Sequence, residues 1–321
     1  MPFEKGFLGI QEQITAEACM KSRMKKGRRR LVFAALLVAM MITLLGASGC
    51  GGQETGGVTT GGEAATVTSA PAAPAAATTT GTVATLPGGN YVFAVCGDNR
   101  TTGIDNGVLQ KIVDSAKAHG AAFIVDTGDV TTFATRAQLE RYKQFTDGAG
   151  IRFYTVPGNH DVGSGGVSQD YTDILGPAYY SFDYGTDHFM MVDNADDTTG
   201  IDDIQKDWIS GDLAANQNKA HQFIFAHIPV TGPGLDSSHA SGEGGSAGLE
   251  SGQWLVSQAD KYPDVADYFF GHIHMYIPYS LDGKKALVTG GAGAPLLPGG
   301  FYHYLLVTVK GQEVDVQVVK V

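Results

Sequence analysis

The sequence predicts an α/β fold, a layered mixed β-sandwich flanked by helices. Three observations lead to it. Between residues 91 and 156, short apolar runs alternate with helical patterns, as parallel β-α units do. The centre of the chain then reads as a β-hairpin and its end as a second hairpin, so the sheets cannot be purely parallel. Hydrophobic residues make up 43% of the 321, which excludes full disorder and leaves material for a sizeable core.

The elements follow in order. Tyr91–Cys96 is a continuous apolar run, as in a strand buried on both faces, and it makes Cys96 a small core residue. Residues 107–119 carry Val108, Ile112, Val113 and Ala116 at helical spacing. Residues 121–126 form a second buried strand, 135–146 a second helix and 151–156 a third strand. Tyr179–Tyr184 and His188–Val192 flank a Gly-Thr turn at 185–186 and pair as a hairpin. A helix over 203–215 carries Trp208 and Leu213 and leads into a strand over 221–226. A Gly/Ser-rich loop spans 231–248, with the lone His239 reading as a solvated loop residue. Strands at 268–270, 276–281 and 285–289 follow, and a hairpin of 304–309 with 313–319 closes the chain. The 44 glycines show no Gly-X-Y period, so a collagen-like chain is excluded.

Ahead of this lies a different kind of sequence. Lys21–Arg30 is strongly basic and Leu31–Leu45 wholly apolar apart from Thr43, the layout of a secretory signal and shorter than the ~20 residues a membrane span requires. Ala47-Ser48-Gly49-Cys50 follows and resembles a bacterial lipobox, in which the cysteine becomes the lipidated first residue. Residues 1–50 are therefore expected to be a signal peptide with lipobox, leaving the protein extracytoplasmic and held on the membrane by Cys50; an uncleaved anchor is the alternative. Met20 and Met24 are both possible starts. Residues 51–89, built of Gly, Thr, Ala and Pro, cannot bury enough surface to order themselves and read as a flexible linker to a catalytic domain over 90–321. The first 49 residues carry eight Lys/Arg against three Asp/Glu, whereas the rest carry 14 against 30. So acidic a globular part repels phosphate backbones, and no nucleic-acid partner is expected. Three cysteines make no disulfide framework.

The residues just beyond the apolar strands carry the chemistry. Asp98 follows the first, Asp129 the second, Asn159, His160 and Asp161 the third, His227 the strand at 221–226, and His272 and His274 the strand at 268–270. In open α/β sheets ligands bind beyond the carboxyl ends of strands, so five strands deliver oxygen and imidazole donors to one rim. Such donors suit transition metals, and the glycines before most of them permit tight turns.

In this order, Asp98, Gly128-Asp129, Gly158-Asn159-His160-Asp161, His227 and Gly271-His272-Ile273-His274 resemble the motif blocks of the calcineurin-like metallophosphoesterase superfamily, over about residues 90–310. Ser181–Tyr184 and the pair Gln205 and Trp208 are similar to secreted bacterial members with a purple-acid-phosphatase-like layout. The resemblance implies a β-sandwich flanked by helices and a centre of two divalent or trivalent transition-metal ions, Mn, Fe or Zn. It implies that Asp129 bridges both ions, that Asp98 and His274 complete the protein ligands of the first ion, and that Asn159, His227 and His272 hold the second ion. It implies hydrolysis of a phosphoric mono- or diester substrate by a metal-activated water, with His160 facing the leaving group and Asp161 orienting His160.

One position departs from the pattern. Many relatives have Asp-x-His in the first block, where this chain has Asp98-Asn99-Arg100, and arginine cannot ligate a metal. The tyrosine that purple acid phosphatases place three residues after the bridging aspartate is Thr132 here. Arg100 therefore either grips a phosphate oxygen, as a catalytic residue, or pairs with a rim carboxylate such as Asp126. The alternative function is a non-catalytic lipoprotein that keeps an eroded fold as a binding module. Gly290–Ala294 reads as close backbone packing beside the rim, since no helix follows it.

Overall fold

The structure, a computed structural model, describes residues 90–100, 107–163, 166–236 and 238–321. The expected signal peptide over 1–50 and linker over 51–89 lie outside them. The described elements are β1 (Tyr91–Cys96), α1 (Val108–Ala118), β2 (Phe123–Asp126), α2 (Arg136–Gly148), β3 (Arg152–Thr155), α3 (Gln169–Leu175), β4 (Tyr180–Tyr184), β5 (Asp187–Met191), α4 (Asp203–Ala215), β6 (Gln222–Phe225), α5 (Ser246–Ala259), β7 (Val265–Phe270), β8 (Tyr276–Leu281), β9 (Lys284–Thr289), β10 (His303–Lys310) and β11 (Glu313–Lys320). Among the described residues no helix is long and apolar enough to cross a membrane.

The strands form two sheets, ordered β11-β10-β1-β2-β3 and β4-β5-β6-β7-β9-β8. In the first, β1, β2 and β3 run parallel and β10 and β11 add antiparallel. In the second, β5, β6, β7 and β9 are parallel and the edges β4 and β8 antiparallel. The mixed sandwich predicted from the sequence is the one observed.

Side chains alternate across each strand, and this sorts the core into layers. Phe93 and Val95 of β1 join Phe123, Phe189, Phe223, Phe225 and Phe269 in a layer drawn from both sheets. Ring pairs such as Phe93 with Phe223, 5.5 Å apart and edge to face, tie one sheet to the other. Ala94 and Cys96 instead share a cluster with Ile112 and Val113 of α1 and Tyr142 of α2. Cys96 is thus the small core residue expected, and burial pushes its thiol well up. On the outside of the second sheet, Met190, Ile224 and Phe270 pack with Ile209, Leu213 and Leu255 of α4 and α5.

Two helices escaped the sequence reading. The short α3 is capped by Ser168, whose hydroxyl accepts from Tyr171 N. The expected loop over 231–248 ends at 245, because α5 starts at Ser246. Its buried face is Gly248, Ser251, Gly252, Leu255, Val256 and Ala259, mostly small residues with little hydrophobic signal. They are small because neighbours press close: a Cβ on Gly252 would lie 2.7 Å from Ser241 Oγ.

Candidate metal centre

The parallel strands β1, β2 and β3 of one sheet and β6 and β7 of the other bring their carboxyl ends to a common rim. The chain must turn sharply there. Asp98, Arg100, Asp129 and His272 all take left-handed backbone, with φ of 63°, 41°, 58° and 69°. Each such residue costs about 1 kcal/mol or more. Hydrogen bonds hold the turns: Asp98 N donates to Gly128 O at 2.9 Å, Arg100 N to Asp129 O at 3.0 Å and His272 N to Asp98 Oδ2 at 2.8 Å. Gly158 is obligatory, since a Cβ there would sit 2.4 Å from Asp129 Oδ1. Gly290 packs as closely on the other side, and Ala292 N and Ala294 N donate to Gly97 O and Asp98 O, so the 290–294 segment is the backbone packing expected.

Asp129 is fully buried and its two oxygens face different neighbours. Oδ1 lies 3.3 Å from His227 Nε2 and accepts from His160 N at 2.8 Å. Asn159 Oδ1 lies 3.0 Å from His227 Nε2 and 2.8 Å from His272 Nδ1. Burial lowers the pKa of His227, and its Nδ1–H donates to Thr127 O at 2.8 Å. Its Nε2 therefore presents a lone pair to two oxygens, an arrangement that repels unless a cation stands between them. Asp129, Asn159, His227 and His272 thus meet as expected, at separations that ligand bonds of about 2.1 Å produce. The residues fit a transition metal.

Asp129 Oδ2 faces the other way. It accepts from Arg100 Nη2 at 3.0 Å, and the same Nη2 lies 3.3 Å from His274 Nε2. Asp98 Oδ1 is 3.4 Å from His274 Nε2, is buried, and receives no hydrogen bond. Asp98, Asp129 and His227 bring ligand atoms within 4.8 Å of one another. The Asp98, Asp129 and His274 set is therefore assembled too, but with a guanidinium on two of its three members. Burial would raise the Asp129 carboxyl; the His227 and His160 imidazoles, the His160 N–H and Arg100 outweigh that and hold it below its ordinary value. Arg100 does not pair with Asp126, whose Oδ2 takes hydrogen bonds from Asn99 Nδ2 and Tyr142 OH.

His160 stands beside this centre, and its Nδ1–H donates to Thr132 O at 2.9 Å. The expectation that Asp161 orients His160 is corrected. Asp161 accepts from Val130 N, Thr131 N, Thr131 Oγ1 and Gly158 N, and makes no bond to the His160 ring. It is a buried brace between the loops after β2 and β3, and burial with the nearby Asp129 charge pushes its carboxyl up to about 7. Two residues absent from the sequence reading also serve the site. Asn194 Oδ1 accepts from His227 N and Ile228 N, both at 3.0 Å, and fixes the turn after β6. Its position just past β5 was the available signal. Glu243, on the Gly-rich loop, brings Oε2 to 3.8 Å from His272 Nε2. His239 is exposed on that loop, as expected.

A family model described as calcineurin-like phosphoesterase matches residues 86–276, a span that holds every candidate residue from Asp98 to His274. The chain belongs to the calcineurin-like phosphoesterase family. A 3′,5′-cyclic-nucleotide phosphodiesterase of Nostoc sp. is 27% identical over 155 residues, covering 46% of this chain and 54% of the relative. This phosphoesterase-family chain thus spans about half the length of the curated relative it matches. Among solved structures, purple acid phosphatase PPD1 of yellow lupin aligns with TM-score 0.53 and 18% identity over 72% of this chain and 51% of its own. A dimetal phosphatase of Danio rerio aligns with TM-score 0.50 and 13% identity over 72% and 98%. GAP50, the anchor in the inner membrane complex of Plasmodium, does so with 0.50 and 13% over 72% and 84%. Those likenesses show the shared fold, which serves phosphatases and an anchor alike.

Proposed function

We propose that the protein hydrolyses phosphoric mono- or diesters at a two-metal centre on the outer side of the cytoplasmic membrane, tethered through lipidated Cys50 by the linker 51–89. One observation carries the reading. Asn159 Oδ1 converges with the buried Asp129 Oδ1 and His227 Nε2 lone pair, a donor set that asks for a cation. His227 and His272 with Asn159 and Asp129 would hold one ion, and Asp98 and His274 with Asp129 would hold the other. Bound there, such ions would supply Lewis acidity, lowering the pKa of a water and stabilising charge on the phosphoryl oxygens.

The chain's own residues do the rest. With Nδ1–H donated to Thr132 O, His160 keeps its Nε2 for the leaving oxygen, to which the imidazolium gives its proton. Among the described residues Arg100 Nε has no hydrogen-bond partner, so the fork retains a donor for a phosphoryl oxygen. Asp161 ties the loop that presents His160 to the loop that carries Asp129. The Nostoc relative's name makes cyclic nucleotides the first diesters to assay.

A second reading, a binding module without catalysis, draws on the Arg100 guanidinium standing on Asp129 and His274. The ordered His160 speaks for the enzyme, since a module needs no proton donor. Asp129→Asn decides. It is expected to lose bound metal and turnover of aryl phosphates and cyclic nucleotides together, measured by elemental analysis and a substrate panel. Turnover at the parent rate would sink the reading.

A further inference from the structure

The two halves of the candidate centre differ in what fills them. Around Asp129 Oδ1, Asn159 Oδ1, His227 Nε2 and His272 Nδ1 the described contacts include no Lys or Arg. Around Asp129 Oδ2, His274 Nε2 and Asp98 Oδ1 a cation is already present. Arg100 Nη2 touches the first two of these atoms, at 3.0 and 3.3 Å, the same atoms an ion there needs. A guanidinium is never deprotonated, so it cannot vacate them by losing its charge. Nor can it share them with a metal ion, because like charges at such range repel strongly where water is scarce.

We infer that Arg100 is an exchangeable resident cation of the Asp98/Asp129/His274 position, so that this position takes a metal ion only when the guanidinium swings away. The inference rests on the metal reading proposed above and concerns how that site is loaded. The position with Asn159, His227 and His272 then fills first and tightly, and the Arg100 position fills second and weakly.

The backbone supports a swinging side chain on a fixed base. Arg100 is held at φ 41° by its N–H to Asp129 O, within a turn whose Asp98 N is bonded to Gly128 O. Left-handed backbone on a residue with a bulky side chain persists only where surroundings impose it. Those bonds spare the guanidinium, whose contacts with described residues at the centre are the two to be exchanged. Asp98 Oδ1 marks what the resident leaves undone: buried, 3.4 Å from His274 Nε2 and without a donor, it is the third ligand that an ion satisfies and Nη2 does not.

The test is Mn²⁺ titrated by calorimetry into the metal-free full chain, with ion counts by elemental analysis, for the parent, Arg100→Gln, Arg100→Lys and His274→Ala. The parent is expected to bind one ion tightly and a second more weakly. Arg100→Gln removes the resident charge and should tighten the second class alone by about tenfold or more, while Arg100→Lys, which keeps the charge, should leave it weak. His274→Ala should abolish the weak class and spare the tight one. Thermal melts read the same exchange: without metal, Arg100→Gln should melt below the parent, and added Mn²⁺ should raise its Tm more than the parent's. Two ions of equal affinity in the parent, or a weak class untouched by Arg100→Gln, would overturn the inference and leave the metal reading standing. A parent chain that binds no ion overturns both, and one that loads in this order but turns over no ester sinks only the proposed activity.

Discussion

Asp129 shows how much one side chain carries when its two oxygens face opposite ways. Oδ1 faces His227 Nε2 and takes the His160 N–H, and Oδ2 takes the Arg100 guanidinium. Its left-handed backbone was not legible in the sequence, but its type and its place behind Gly128 were. His160 can be tested apart from metal binding, because its ring bonds to Thr132 O and not to the donor set. His160→Ala is expected to keep its metal content and lose roughly 10²–10⁴-fold in turnover, the usual contribution of a positioned acid. The loss should shrink for esters whose leaving group has a low pKa, which a series of substituted aryl phosphates measures. A uniform loss across the series would remove His160 from the acid role. The family resemblance assigned Asp161 to orient it; the structure turns that carboxylate to four donors around β2 and β3.

At the scale of elements, β5 is fastened to its neighbours by a histidine with carboxylates on both sides. His188 Nδ1 lies 2.8 Å from Asp183 Oδ1 of β4 and Nε2 2.7 Å from Asp212 Oδ2 of α4. Both ring nitrogens must donate, so the imidazolium is the form that fits. Lys219 and Asn216 face the same cluster, on Asp183 and Asp212 respectively. Burial would lower the His188 pKa, but the two carboxylates outweigh it and raise it above 6.5. A raised histidine pKa gives stability that is complete below the unfolded value and lost as pH rises through the folded one. The parent Tm is therefore expected to fall as pH rises above 6.5 more steeply than that of His188→Gln, by about 2–4 °C for each kcal/mol the clamp contributes. Parallel curves from differential scanning calorimetry would show that the clamp contributes nothing.

At the scale of the whole molecule, the proposed lipid anchor is the feature to test. If Cys50 is the anchor, Cys50→Ala should move the protein from the membrane fraction to the soluble or secreted one. Membrane retention with an N-terminus still upstream of Cys50 by mass spectrometry would instead indicate an uncleaved segment.

The sequence by itself determined the alternation of strands and helices, the sandwich class, and the residue types at each strand end. Each of these is local: burial on both faces writes an apolar run, and a turn at a rim writes a glycine beside a donor. It also disclosed that Arg100 stands where relatives have a ligand. What tertiary structure alone decided is which atoms meet. Arg100 and His274 are 174 residues apart, so no spacing along the chain announces that pair, and Asn159 and His272, 113 apart, were joined beforehand by the family resemblance alone. The helix α5 was missed for the same reason, since its small buried face has meaning only beside the backbone it presses against. Periodicity reports that a face is covered; which neighbour covers it, and with which atom, emerges only when two sheets close over one rim.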